Sequence, residues 1–307
     1  MSDNNRDRII GTWYAVASFL LWGFLPVYWK ALEEVPAIEI LPHRILWSFV
    51  FLALFNGIKK RWPLIKETYS SANNRISSLV SALIIGTNWF IFIWAVNADH
   101  LVEISMGYYI NPLLSVLLGV IILRERLTVW QLTAFALAVL GVAYMTLQYG
   151  RVPWIALSLA GTFGLYGLLR KTSRVGALTG LTAETAFLSP LSIGFLVYLI
   201  GAGNTVLGKA SVSLHLLLVG AGIVTAVPLV WFARGARRIP LSSVGFLQYL
   251  APTCHLLLGV FLYREPFTQV HVVSFGLIWA ALFIFSLSQV RIKKRMEGIS
   301  KTALPNP

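Results

Sequence analysis

Aspartate occurs in this chain only at Asp3, Asp7 and Asp99. No two of them share an apolar run, which excludes an intramembrane aspartyl pair. Charge of either sign is sparse: 12% of the 307 residues are Asp, Glu, Lys or Arg, against about a quarter in a soluble domain. Such a chain cannot coat a globule with polar surface. Cysteine occurs once, at Cys254, inside an apolar run. An intramolecular disulfide and a cysteine-based metal site are therefore both excluded. H-E-x-x-H, G-x-S-x-G and Walker A runs are also missing, which sets the common hydrolase and nucleotide-driven classes aside.

What is present is apolar and aromatic. Hydrophobic residues make up 57% of the chain, mean hydropathy is +0.74, and there are 11 Trp and 11 Tyr. This is the composition of an integral membrane protein, whose amphipathic rings collect at two lipid–water interfaces. The net charge of +13 would point to nucleic acid in a soluble protein. Here the basic residues sit in short loops between apolar spans, where Lys and Arg hold loops in the cytoplasm, so no nucleic-acid partner is expected. The lipid bilayer is the expected surround.

A helix needs about 20 mostly apolar residues to cross the hydrocarbon. Ten runs qualify, at 10–29, 37–57, 77–96, 104–123, 129–148, 152–169, 178–200, 213–233, 241–262 and 270–290. The first is too long for a signal-peptide core and lacks a small-residue cleavage site, so it reads as a span. With the N-terminus inside, 20 of the 25 Lys and Arg residues fall on the cytoplasmic side. Lys30, Arg151, Lys209 and Arg264 fall outside, and Arg44 lies within a span. Both termini are expected in the cytoplasm.

Two stretches nearly repeat. YYINPLLSVLLGVIILRERLT (108–128) and QYLAPTCHLLLGVFLYREPFT (248–268) share Tyr109/Tyr249, Pro112/Pro252, Gly119/Gly259, Arg124/Arg264, Glu125/Glu265 and Thr128/Thr268. They are spans four and nine. Five crossings separate them, an odd number, so the copies run in opposite directions. The expected fold is all-α, with ten transmembrane helices as two inverted five-helix repeats: a tail at 1–9, repeats at 10–148 and 149–290, and a basic tail at 291–307. Weaker matches join WGFLPVYWK (22–30) to FGLYGLLRK (163–171), and AIEI (37–40) to TAET (182–185). Inverted repeats place a substrate site near the midplane where they meet.

The runs HRILWSF (43–49), NWFIFIWAVNADHLVEISMGYYINPLLSVLLGV (88–120) and GFLQYLAPTCHLLLGVFLYREP (245–266) resemble the RarD group of bacterial EamA-type permeases, within the drug/metabolite transporter superfamily. The resemblance covers nearly the whole chain. It implies two five-helix repeats in a bacterial inner membrane, no ATPase subunit, and export of a small organic metabolite or drug-like solute. It names no substrate.

Arg44 sits about seven residues into span two, where a charge is expensive and faces a cavity or a partner. It reads either as an anchor for a substrate carboxylate or as half of a structural pair. Glu39 and His43 precede it on one helical face. Glu184, deep in span seven, aligns with Glu39 through the weak match. The two read as gate or proton-carrying residues at opposite mouths, or, for Glu184, as a pair with Arg170 or Lys171. Asn88 and Trp89 on span three are pocket candidates; Asn97, nine residues on, faces the other way and reads as a cap. Tyr108, Tyr109 and Asn111 match Gln248, Tyr249 and Ala251 across the repeat. These tyrosines suit either a pocket for an aromatic or amphipathic solute or an interface belt. Pro112 and Pro252 should bend both helices. Histidines 215, 255 and 271 show no metal spacing, so neither metal nor cofactor is expected.

A secondary-active exporter working by alternating access, with or without proton coupling, is the reading these features favour. A facilitative channel, an exchanger for amino-acid-like metabolites and an intramembrane enzyme are the rivals.

Overall fold

A computed structural model describes residues 3–98, 100–208, 211–264 and 268–302, and every regular element among them is helical. Lys209, Asp99 and Glu265 lie outside the described residues, as does the side chain of Asn97 and those of the basic C-terminal stretch. Helix α1 spans Asp3–Lys30, α2 Ala37–Ile58, α3 Trp62–Thr68, α4 Ala72–Asn97, α5 Leu101–Ile121 and α6 Val129–Tyr149. The second half holds α7 (Trp154–Thr172), α8 (Ala177–Gly201), α9 (Val212–Ala236), α10 (Leu241–Gln248), α11 (Leu250–Leu257), a π turn at Leu258–Leu262, and α12 (Gln269–Thr302).

Nine helical units are long and apolar enough to cross a bilayer among the described residues, with α10, α11 and the π turn counted as one. The sixth expected span, α7, falls short on hydropathy because Arg170 and Lys171 occupy its last turn. It is nonetheless packed inside the bundle against α4, α5 and α9. The short α3, which the hydropathy pattern did not suggest, lies between the second and third spans. The expected tail at 291–307 begins within α12, which continues to Thr302.

The principal helix contacts pair off when the two halves are exchanged. Helix α1 packs on α9 as α7 packs on α4. Helix α2 packs on α9 as α8 packs on α4, and α5 on α7 as α10 and α11 on α1. The pairs α2–α8, α5–α10 and α6–α12 are their own mates.

The local structure repeats as well. Arg124 and Arg264, which correspond in the two copies, both take left-handed backbone, with φ of 54° and 56°. Such a conformation is costly for a non-glycine residue and marks a sharp stop. It lets Glu125 turn back onto the N-terminus of α10. There its carboxylate accepts from the amides of Leu241 (2.6 Å) and Ser242 (2.8 Å) and from the Ser242 hydroxyl (2.7 Å). A carboxylate at a helix N-terminus satisfies amides that have no partner within the helix and complements the helix dipole. Farther along, Thr128 and Gln131 form a capping box at the start of α6. At the matching place, His271 Nδ1 accepts from the Thr268 amide at 3.2 Å.

The halves differ at the expected bends. Pro112 sits inside an unbroken α5. Its mate Pro252 lies in the first turn of α11, after the helix has been interrupted at Tyr249. Helices α5 and α10 cross closely at Gly245, where a Cβ would come within 2.7 Å of the Pro112 carbonyl oxygen. Beyond that crossing α11 diverges from α5, and the space between them opens.

Candidate functional site

That space is a cavity of about 860 Å³, within the size range of small-molecule sites. Helices α1, α2, α4, α5, α7, α9 and α11 all contribute to its wall. It reaches the surface beside Lys30 and Tyr263, on the side of the α1–α2 turn. That side is the one the charge pattern leads one to expect outside.

Arg44 projects from α2 into this space. Its guanidinium carbon lies 4.8 Å from the Trp29 ring centre and 5.6 Å from that of Trp89, so two indoles flank it. Its Nε donates to Thr225 Oγ1 at 3.2 Å. No ion pair to Arg44 occurs among the described residues. Asn88 is held from behind: its amide nitrogen donates to Leu159 O at 2.9 Å and Thr162 Oγ1 at 2.8 Å. Tyr108 meets His255 edge to face at 5.3 Å. The side-chain oxygen of Asn111 is buried without a hydrogen-bond partner among the described residues.

The floor is aromatic. Trp22 and Phe163, mates in the weak repeat match, both line the cavity. They pack at 5.6 Å, and Phe19, Tyr166 and Phe232 lie beneath. Below this plug Arg170 and Glu184 pair at 3.1 Å, with side chains only 2% and 1% exposed. Glu184 also accepts from Ser81 Oγ at 2.7 Å and Tyr166 OH at 3.0 Å. The Arg170 guanidinium donates further to the carbonyls of Gly176 and Ala177, each at 3.2 Å. Lys171 donates to Ala236 O at 3.2 Å and Ile239 O at 2.6 Å, and its Nζ lies 3.9 Å from Glu125. Arg237 donates to Ser173 O at 2.7 Å and Val175 O at 2.5 Å. The end of the bundle opposite the cavity mouth is thus closed by aromatic rings, a buried ion pair, and clamps onto carbonyls and amides.

Of the residues singled out from sequence, Arg44, Asn88, Trp89, Tyr108 and Asn111 converge on the cavity. Tyr109 and Tyr249 do not line it. They are buried in a separate cluster with Val116, Phe246 and Phe275, where Tyr109 meets the Phe275 ring edge-on at 5.2 Å. Adjacent helical residues point about 100° apart, so Tyr108 and Tyr109 face different surroundings. Gln248 lies at the α5–α10 crossing, accepting from Ser115 Oγ at 3.1 Å. His43 is buried in α2 with neither ring nitrogen bonded among the described residues. Glu39 accepts from Thr205 Oγ1 and the Val206 amide, tying α2 to the stretch after α8. Trp22, Trp29, Phe163, Thr225 and His255 line the cavity without having been singled out. For Trp22 and Phe163 the signal was available, since the repeat places an aromatic ring at both mates.

Residues 9–147 match the EamA-like transporter family. YojE, a transporter of Bacillus subtilis, is 45% identical over 288 residues, covering 92% of this chain and 96% of its own. The protein RarD of Escherichia coli is 41% identical over 285 residues, covering 93% and 96%. The chain belongs to the RarD group of EamA-like transporters. It is a multi-pass membrane transporter, as its relatives are named. A solved crystal structure at 19% identity superposes with a TM-score of 0.68, covering 90% of this chain and 97% of that one. At that identity the likeness speaks for the fold alone. This RarD-type permease is an all-helical membrane protein, and its cavity lies among those helices.

Proposed function

We propose that this permease is a secondary carrier that exports a small organic solute across the bacterial inner membrane by alternating access, with both termini in the cytoplasm. One observation carries the reading: the cavity reaches one face of the bundle while the other face is sealed from Trp22 down to the Arg170–Glu184 pair. Because the helix contacts pair off between halves, exchanging the conformations of the halves yields a second state sealed on the opposite face. A channel would need both seals open at once. Proton coupling through Glu184 has less support than uncoupled exchange, because Arg170, Ser81 and Tyr166 already occupy its carboxylate.

Two measurements test this. Untargeted comparison of medium metabolites between cells with and without the protein identifies the exported solute. Counterflow in proteoliposomes then separates a carrier, which saturates and exchanges, from a channel, which does neither.

A further inference from the structure

The chemistry of the cavity wall narrows the solute. Among the described residues lining it, only Lys30 and Arg44 carry charge, and no carboxylate is present. Lys30 has its own partner in Glu33, at 3.0 Å. Two buried acids on the same side of the bundle are already occupied. Glu39 serves Thr205 and Val206, while Glu103 accepts from Tyr149 OH (2.9 Å) and the Ile155 amide (3.2 Å). A cationic solute would meet like charge here, and the ammonium of a zwitterion would find no anion.

Arg44 is the opposite case. A guanidinium inside a span is expensive without a counter-charge, and among the described residues this one has a single hydrogen bond, through Nε. Trp29 and Trp89 flank it, and its terminal nitrogens make no hydrogen bond among the described residues, beside the cavity that Arg44 lines. A planar two-nitrogen fork matches a carboxylate in a way an ammonium cannot. Trp22 and Phe163 supply flat apolar surface beneath, and Asn111 lines the wall with a shielded side-chain oxygen that has no donor among the described residues.

Resting on the carrier reading above, we infer that the solute is an aromatic monocarboxylate bearing a ring hydroxyl or N–H, with its carboxylate on Arg44 and its donor on Asn111. A consequence follows for energetics. Carrying one net negative charge outward runs down the inside-negative membrane potential, so export needs no coupled proton.

The test uses the full-length protein, first in detergent and then in proteoliposomes. Binding of para-hydroxybenzoate and indole carboxylate is read from tryptophan fluorescence, against the neutral para-hydroxybenzamide, tyrosine and tetraphenylphosphonium. The acids should bind at least about ten-fold more tightly than the amide, as expected for loss of a charge-assisted hydrogen bond. Arg44→Gln should erase that preference while Arg44→Lys keeps part of it. The acid-to-amide comparison is made on the wild type, so it stands even if a variant fails to insert. A potassium diffusion potential should accelerate para-hydroxybenzoate movement toward the positive side. Equal binding of acid and amide, no binding of either acid, or preference for the phosphonium each overturns the inference. Counterflow of a neutral or cationic solute with none of the acids would leave the carrier reading intact and sink this one. Arg44-dependent binding without counterflow of the bound acid would do the reverse.

Discussion

Ser115 donates to Gln248 at 3.1 Å, and the residues at the two mate positions, His255 and Tyr108, meet ring to ring at 5.3 Å. The same pair of positions is therefore filled twice across α5 and its broken partner, once on the sealed side of the crossing and once on the cavity wall. The inner pair is a buried hydrogen bond beside the tight Gly245–Pro112 contact. The outer pair joins segments that have begun to part. Under the proposed alternating access, the inner pair separates in the opposite state. Gln248→Ala removes about 1 kcal/mol from the outward-facing state. It should raise cytoplasmic labelling of a cavity cysteine by roughly five-fold. Unchanged labelling would detach this bond from the gate.

The Arg170–Glu184 pair makes a second, sharper prediction. Removing one partner of a buried ion pair leaves an uncompensated charge and costs about 3–5 kcal/mol, whereas replacing both with apolar residues is close to neutral. Arg170→Leu and Glu184→Leu should each lower the melting temperature in detergent, and the double variant should recover most of the loss. If the two losses add instead, the residues do not act as a pair.

Glycine 222 allows α2 and α9 to touch. A Cβ there would lie 2.3 Å from the Trp47 carbonyl carbon and 2.5 Å from the Ser48 amide nitrogen, atoms that cannot rotate away. Gly222→Ala should therefore destabilise the protein by about 1–3 kcal/mol. Gly194→Ala, with nothing within 4 Å of the new methyl, should not. Size-exclusion profiles after graded heating separate the two.

Orientation is tested by thiol labelling in intact cells. Asn204, exposed after α8, should label from outside when changed to cysteine; Arg174, exposed between α7 and α8, should not. The reverse pattern would invert the direction of transport assigned above.

The all-helical membrane architecture was legible because apolar runs of span length recur along the chain. The short α3 was not, since its apolar and polar residues follow no span-length run. Within the site, Arg44, Asn88 and Asn111 stood out because a polar group in hydrocarbon needs a reason. Thr225 and His255 did not, because they lie on other helices and gain meaning only when folding brings them to Arg44 and Tyr108. Tyr109 and Tyr249 mislead for a physical reason: both copies need a large ring where α5 and α10 meet the α6–α12 pair. Repetition in sequence records a shared packing position as readily as a shared binding one.

The account's central claim is that one crossing must open for solute to pass. With Cys254 first replaced by serine, Ser115→Cys and Gln248→Cys can be bridged by a short thiol cross-linker. Bridged protein should still bind solute from outside but should pass none, and flux should return once the bridge is cleaved. Undiminished flux through the cross-linked protein would contradict alternating access at this crossing.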